Sequence, residues 1–239
     1  MDLLKVYSPG DYQLNSKIKL HHPTLQEIAD YGEKEYFSLI RTICATPADQ
    51  KVAIWDTLHI YWDQVDEYEL FLSMFQLLKD RDCKIIFPDL DLTKLQIVLN
   101  PTTKDMALSN GECLIDRSIH FLLTQYLRTV HAIEKNVDVG YDEYTKDIMI
   151  EDDRDEAMIA ARKGYTSNLW PLISALTNSP EFKYRYDDVW TLPIGVFMDA
   201  LKRVQKQKNY EHLMHGVYAG TIDTSKISKK EFNWIGKLD

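Results

Sequence analysis

The sequence predicts a mainly α-helical protein of the α+β class, carrying one small antiparallel β meander near residues 83–115. Apolar residues recur at helical spacing in several long windows, which is the pattern of helices pressed on a core. Short runs rich in branched residues and bounded by turn formers occur together only between Cys83 and Leu108. With 8 Pro and 9 Gly in 239 residues, few positions interrupt the helical windows.

After a lead containing Pro9 and Gly10, the alternation Lys17-Ile18-Lys19-Leu20 predicts one brief strand. Thr24 and Glu27 stand at capping-box spacing, so the Thr24 hydroxyl can accept from the Glu27 amide while the Glu27 side chain reaches back. A helix from there to about Cys44 is expected, bent at Gly32, with Leu25, Ile28, Phe37 and Ile40 inward. Thr46-Pro47-Ala48-Asp49 starts another, Pro47 losing nothing where its missing donor has no intrahelical partner. Over 66–80 the stripe is Leu70, Phe71, Met74, Leu77 and Leu78.

Residues 83–87, 94–99 and 105–108 are the expected strands of the meander, separated by Pro88, Asn100-Pro101 and Asn110-Gly111, with no other sheet expected. From Asp116 the pattern is helical to the end. Asp116 caps a stripe of Ile119, Leu122, Leu123, Tyr126, Leu127, Val130 and Ile133. Further helices are expected over about 142–162, over 168–176 with its cap near Asn168 and Pro171 in the first turn, and over 193–218. That last stripe runs Ile194, Phe197, Met198, Leu201, Val204, then Tyr210, Leu213, Met214 and Val217, closed by Gly216 and Gly220. Ser228 to Glu231 repeats the capping-box spacing before a short terminal helix bearing Phe232, Trp234 and Ile235. The expected organisation is an N-terminal helical part with the meander, 1–115, and an all-helical part, 116–239, folding as one cooperative unit.

Composition narrows the function classes. A hydrophobic share of 45% with 27% charged residues is ordinary for an ordered globular chain. The 28 Lys and Arg face 37 Asp and Glu, and a net charge of −9 makes nucleic acid and anionic lipid unfavourable default partners. Cys44, Cys83 and Cys113 are odd in number and far apart, which predicts reduced, buried thiols and a cytoplasmic setting. No window approaches a membrane span, and residues 1–5 do not lead into a signal peptide.

The densest charge run is Glu151-Asp152-Asp153-Arg154-Asp155-Glu156, where Asp152 and Glu156 share a helix face as a divalent-metal enzyme site would require. No second carboxylate cluster accompanies it, so a solvated or partner-binding face is the simpler expectation. His212 and His215 are three apart, but the chain has no zinc-protease pattern to supply further ligands. His21-His22, the isolated His131 and Glu134, and Asp89-Leu90-Asp91 have structural explanations as surface, helical and turn residues. No phosphate-cradling glycine loop, nucleophile elbow or dinucleotide fingerprint is present. No enzyme activity, catalytic residue, cofactor or metal is therefore expected. The late cations Lys202, Arg203, Lys206, Lys208, Lys226, Lys229 and Lys230 suit the chain's own acidic run, a second copy in a homo-oligomer, an acidic partner or, as a further class, nucleic acid.

Three groups of residues carry a family resemblance: Ile18 to Ile28; Phe182-Lys183-Tyr184 with Val189 to Pro193; and Gly216 to Asp223 with Asn233-Trp234. Together they resemble proteins from the tail modules of phages infecting low-GC Gram-positive bacteria, the tail assembly chaperone type above all. The resemblance implies a helical, non-enzymatic protein of the host cytoplasm that binds the tape measure or tail tube protein. A minor tail or baseplate component of the virion is the alternative it implies. The candidate partner-binding residues are Tyr186, Trp190, Phe232 and Trp234, whose side-chain types dominate binding hot spots, with Asp152, Asp153 and Glu156.

Overall fold

The computed structural model describes residues 2–100 and 103–238, so Pro101 of the expected Asn100-Pro101 turn lies outside the described residues. Among these the chain is mainly helical, with two small antiparallel sheets. The elements in order are α1 (Leu3–Val6), β1 (Tyr12–Gln13), β2 (Lys19–Leu20), α2 (Leu25–Tyr31), α3 (Glu33–Cys44), α4 (Lys51–Leu58) and α5 (Glu67–Lys79). There follow β3 (Gln96–Leu99), β4 (Met106–Ser109), β5 (Leu114–Ile115), α6 (Arg117–His131), α7 (Glu143–Lys163), α8 (Leu169–Thr177), α9 (Tyr186–Val189) and α10 (Ile194–Tyr218).

Local chemistry starts most of these helices. The Thr24 hydroxyl accepts from the Glu27 amide at 3.2 Å, and the Glu27 carboxylate accepts from the Thr24 amide at 2.7 Å. Thr46 and Asp49 form the same box ahead of a 3₁₀ turn, Pro47–Gln50, that leads into α4. Asp66, Asp116 and Asp142 each accept from amides of the first turn that follows, groups with no partner inside the helix. Gly32 separates α2 from α3 with a φ of +99°, a conformation that side chains resist.

The meander is real, but its strands are β3, β4 and β5, not residues 83–87. Asp82 caps a 3₁₀ turn over Cys83–Ile85, and Cys83, Ile86 and Phe87 are buried without alternation, plugging the core instead of pairing. The third strand, Leu114–Ile115, arrives through the Asn110-Gly111 turn, where Gly111 has a φ of +89°. A second sheet, unexpected, pairs Tyr12 with Leu20 and Gln13 with Lys19. On α5, Leu77 is 51% exposed and Phe75 takes the core position.

One core cluster draws on α1, α2, α3, α5, α6, α8 and the start of α10, running in sequence from Val6 to Phe197. Gly195 lets α10 approach α6 closely, since a Cβ there would stand 3.2 Å from that of Val130. A smaller cluster of Ala45, Ala48, Ile54, Trp62, Leu70 and Ile150 joins α4 to α7. The front of the chain meets its rear across main-chain bonds: Leu25 and Gln26 amides donate to Leu192 and Trp190 carbonyls, and the Ile194 amide donates to Pro23. Cys44, Cys83 and Cys113 are buried free thiols, and burial pushes the Cys44 thiol up to about 12.

The Asn168 side chain does not cap α8. The Glu33 carboxylate, at the start of α3, accepts from the Asn168 and Leu169 amides at 2.7 and 2.9 Å. Removing it leaves two helix-end donors unpartnered, so Glu33→Ala is expected to cost about 1 kcal/mol. A urea melt unchanged by that variant would contradict this cap.

Candidate functional site

The acidic run lies on α7, and its inner members rivet that helix to the body. Asp153 pairs at 2.9 Å with Lys51, whose side chain is only 5% exposed and lies over the Trp62 ring. Arg154 makes two bonds to Asp56, at 3.1 and 2.8 Å, and Lys146 pairs with Asp63 at 2.5 Å. Asp152 and Glu156 stay on the exposed side. Asp153, expected to face a metal or a partner with them, is instead committed to Lys51. Among the described residues, no group of three or more His, Cys, Asp or Glu side chains could hold a metal ion.

The histidines divide between surface and core. His21 bridges Asp11 and Glu27 at 2.7 and 3.2 Å, tying the lead to the start of α2. His212 and His215 are exposed. His131 is buried, with Nδ1 2.7 Å from the Leu127 carbonyl and Nε2 2.6 Å from the Tyr36 hydroxyl. A carbonyl only accepts, so Nδ1 carries the proton and Tyr36 donates to the bare Nε2. Burial depresses both His131 and His120 to about 4. His22 Nε2 and the Tyr126 hydroxyl are buried without a partner in the same layer, their rings 5.5 Å apart.

The predicted aromatics form two patches. Tyr186 meets Trp190 edge-on at 6.2 Å, with Tyr186 half exposed and Trp190 partly covered. Phe232 and Trp234 are half-buried on a 3₁₀ turn and the segment after it, in place of the expected terminal helix.

What organises this region is α10, whose apolar residues form two faces, not one stripe. Ile194, Phe197, Met198, Leu201 and Val204 pack on the core. Tyr210, Leu213, Met214 and Val217 lie roughly half a turn away at about 100° per residue, and none of them is buried. The tail folds back over this second face: Gly220 turns the chain with a φ of +69°, and Ile222 packs where a Gly216 Cβ would be. Gly216 is thus a contact inside the helix and not its end. Arg203 fastens the tail by donating to the Trp234 and Gly236 carbonyls at 2.5 and 3.0 Å, and Lys206 donates to that of Lys237 at 2.6 Å. No described residue after Phe197 is buried, although 198–238 are rich in apolar side chains.

Between α1, α6, the first turns of α10 and this tail lies an open groove of about 800 Å³. Its apolar lining includes Leu3, Leu4 and Phe121, exposed by 43, 86 and 60%. Its charged lining is Arg128, Lys135, Lys202, Arg203 and Lys237 against Glu134 and Asp199. Arg128 and Lys135 share the Glu67 carboxylate at 2.8 and 2.5 Å, while the bonds of Arg203 run to the uncharged carbonyls of Trp234 and Gly236. The groove is therefore apolar with a positive rim. No sequence spacing signals it, because its walls come from 3–7, 121–135 and 198–238.

Residues 162–239 match the family model of the YomV second domain. That family is phage-associated, which supports a phage protein of low-GC Gram-positive hosts. No curated protein and no solved structure matches the chain. The YomV-like segment begins where α7 ends and contains α8, α9, α10 and the tail. It carries 12 Lys and Arg against 8 Asp and Glu, a balance of +4, whereas residues 1–161 carry 16 against 29, a balance of −13. The acidic surplus of the chain thus belongs wholly to the part outside the YomV-like segment. Among the described residues no helix is long and apolar enough to cross a membrane.

Proposed function

We propose that the protein serves phage tail morphogenesis by binding another polypeptide, as an assembly chaperone for the tape measure protein in the host cytoplasm. The observation that carries this is the groove, an exposed apolar trough with a positive rim, joined to a YomV-like segment in which no described side chain beyond Phe197 is fully buried. Contiguous exposed apolar surface rimmed by charge marks interaction sites, and a trough walled by helices suits an amphipathic helix laid along it. The positive rim favours a partner helix with acidic flanks. A long tape measure helix would present such a stripe repeatedly, and the acidic remainder of the chain would keep the complex soluble. The protein acts by contact alone and catalyses no reaction.

Co-expression with the tape measure protein of the same phage tests this. The expected result is a complex that survives purification and is weakened at least about tenfold by Phe121→Glu, which places a charge in the apolar floor. Separate elution of the two proteins would contradict the proposal.

A further inference from the structure

The outer side of α7 is exposed among the described residues. Its inner side holds Ile150, Lys146, Asp153 and Arg154 against α4 and the segment that follows. At about 100° per residue, Tyr144, Ile148, Met158 and Ile159 gather on the opposite side, and they are exposed by 75, 44, 48 and 51%. Glu151, Asp152 and Asp155 share that side and are exposed as well. The α7 face is therefore an apolar stripe set among carboxylates, the chemistry that the groove selects.

We infer that the outer face of α7 in one copy seats in the groove between α1, α6 and α10 of a second copy. It rests on the groove being a polypeptide site, and it adds a specific occupant. Charge complementarity supports it, because the acidic surplus lies in 1–161 and the basic surplus in the YomV-like segment. Length agrees: from Ile148 to Ile159, and along the α6 wall from Phe121 to Ala132, eleven steps of helix each span about 17 Å. The contact cannot close within one molecule, since the ion pairs to Lys51, Asp56 and Asp63 turn this face of α7 away from the body. Lys208 pairs with Glu181 and Lys226 with Asp223, and neither of these pairs engages the acidic run of the chain. Because donor face and acceptor groove differ, each copy offers one of each, and the contact propagates as a chain or closes as a ring. Self-association then competes with a partner helix for the groove.

Sedimentation velocity on the purified full chain tests this without any partner. The wild type is expected to grow past a dimer with concentration at about 0.05 M salt and to shrink toward a monomer at about 0.5 M, where the charges are screened. Ile148→Lys with Ile159→Lys removes the donor face, and Leu4→Glu with Phe121→Glu removes the groove. All four sites are exposed, so folding is retained, as circular dichroism checks. Each double variant alone is expected to stay monomeric. Mixed, they are expected to form a one-to-one dimer and nothing larger, because one intact donor meets one intact groove. A wild type that stays monomeric throughout, or a mixture that forms no dimer, overturns the inference. If the α7 variant still binds the tape measure protein while the wild type does not self-associate, the inference fails and the proposed function stands. If self-association follows the expected pattern but no tape measure complex forms, the opposite holds.

Discussion

Lowering the pH from about 7 to about 5 is expected to remove about 4 kcal/mol of folding stability, roughly 2 kcal/mol from each of His120 and His131. Burial holds both rings neutral, depressing each from the ordinary 6.5 to about 4. In the unfolded chain they bind protons near 6.5, so between about 6.5 and 4 the unfolded state holds more protons than the folded one. Stability therefore rises with pH through that window, is fully present above it, and falls as the solution is acidified. His120 stacks on Phe71 at 4.2 Å and faces the Ile43 carbonyl at 3.3 Å, while both ring nitrogens of His131 are already engaged, so neither core has a place for an extra charge. Glu67, held below the ordinary carboxylate range because Lys135 and Arg128 outweigh its burial, adds a further loss only at still lower pH. Urea melts at pH 7 and pH 5 measure the difference, and His120→Phe is expected to remove about half of it. Equal stability at the two pH values would show that these rings are not buried as neutral groups.

Asp153→Ala is expected to cost about 3 kcal/mol, whereas Asp152→Ala and Glu156→Ala stay within about 0.5 kcal/mol of the wild type. The three residues look alike in sequence and differ in what faces them. Asp153 is the partner of Lys51, whose ammonium is held under α7 beside Trp62. Removing the carboxylate strands a buried cation, and breaking one side of such a pair costs far more than losing an exposed one. Replacing Lys51 with Met in the Asp153→Ala background should return part of the loss, because no charge then remains buried. Thermal melts of the three single variants decide the matter. Equal effects would mean that α7 is not pinned at this point, and the outward direction of its other face would lose its basis.

The legible parts of the fold were those decided within a few residues. Thr24 with Glu27, Thr46 with Asp49, and Asp116 place their helices because a cap acts on amides two or three positions ahead. Residues 83–87 misled because a short buried apolar run has no periodicity of its own, and tertiary burial set it in a 3₁₀ turn. The cap of α8 was unreadable for the opposite reason, since Glu33 reaches it from far along the chain. On α10 the two faces were present in the spacing, the step from Val204 to Tyr210 moving the stripe round the helix, but a single stripe was the simpler description.

The candidate surface was legible only as chemistry. The acidic run and the late cations were visible as clusters, but which acids face in depends on where Lys51 and Asp56 arrive. The partial cover on Phe232 and Trp234 depends in the same way on a folded tail, and that on Trp190 on the core cluster it packs against. The groove itself draws on both ends of the chain and on α6, so no window of sequence contains it.

Isothermal titration of the wild type with a synthetic acidic amphipathic helix from the tape measure protein tests the binding role most directly. Saturable binding that weakens with salt and is lost in Phe121→Glu is the expected outcome. No heat with any such helix, or heat that Phe121→Glu leaves unchanged, would show that the groove is not where a polypeptide docks.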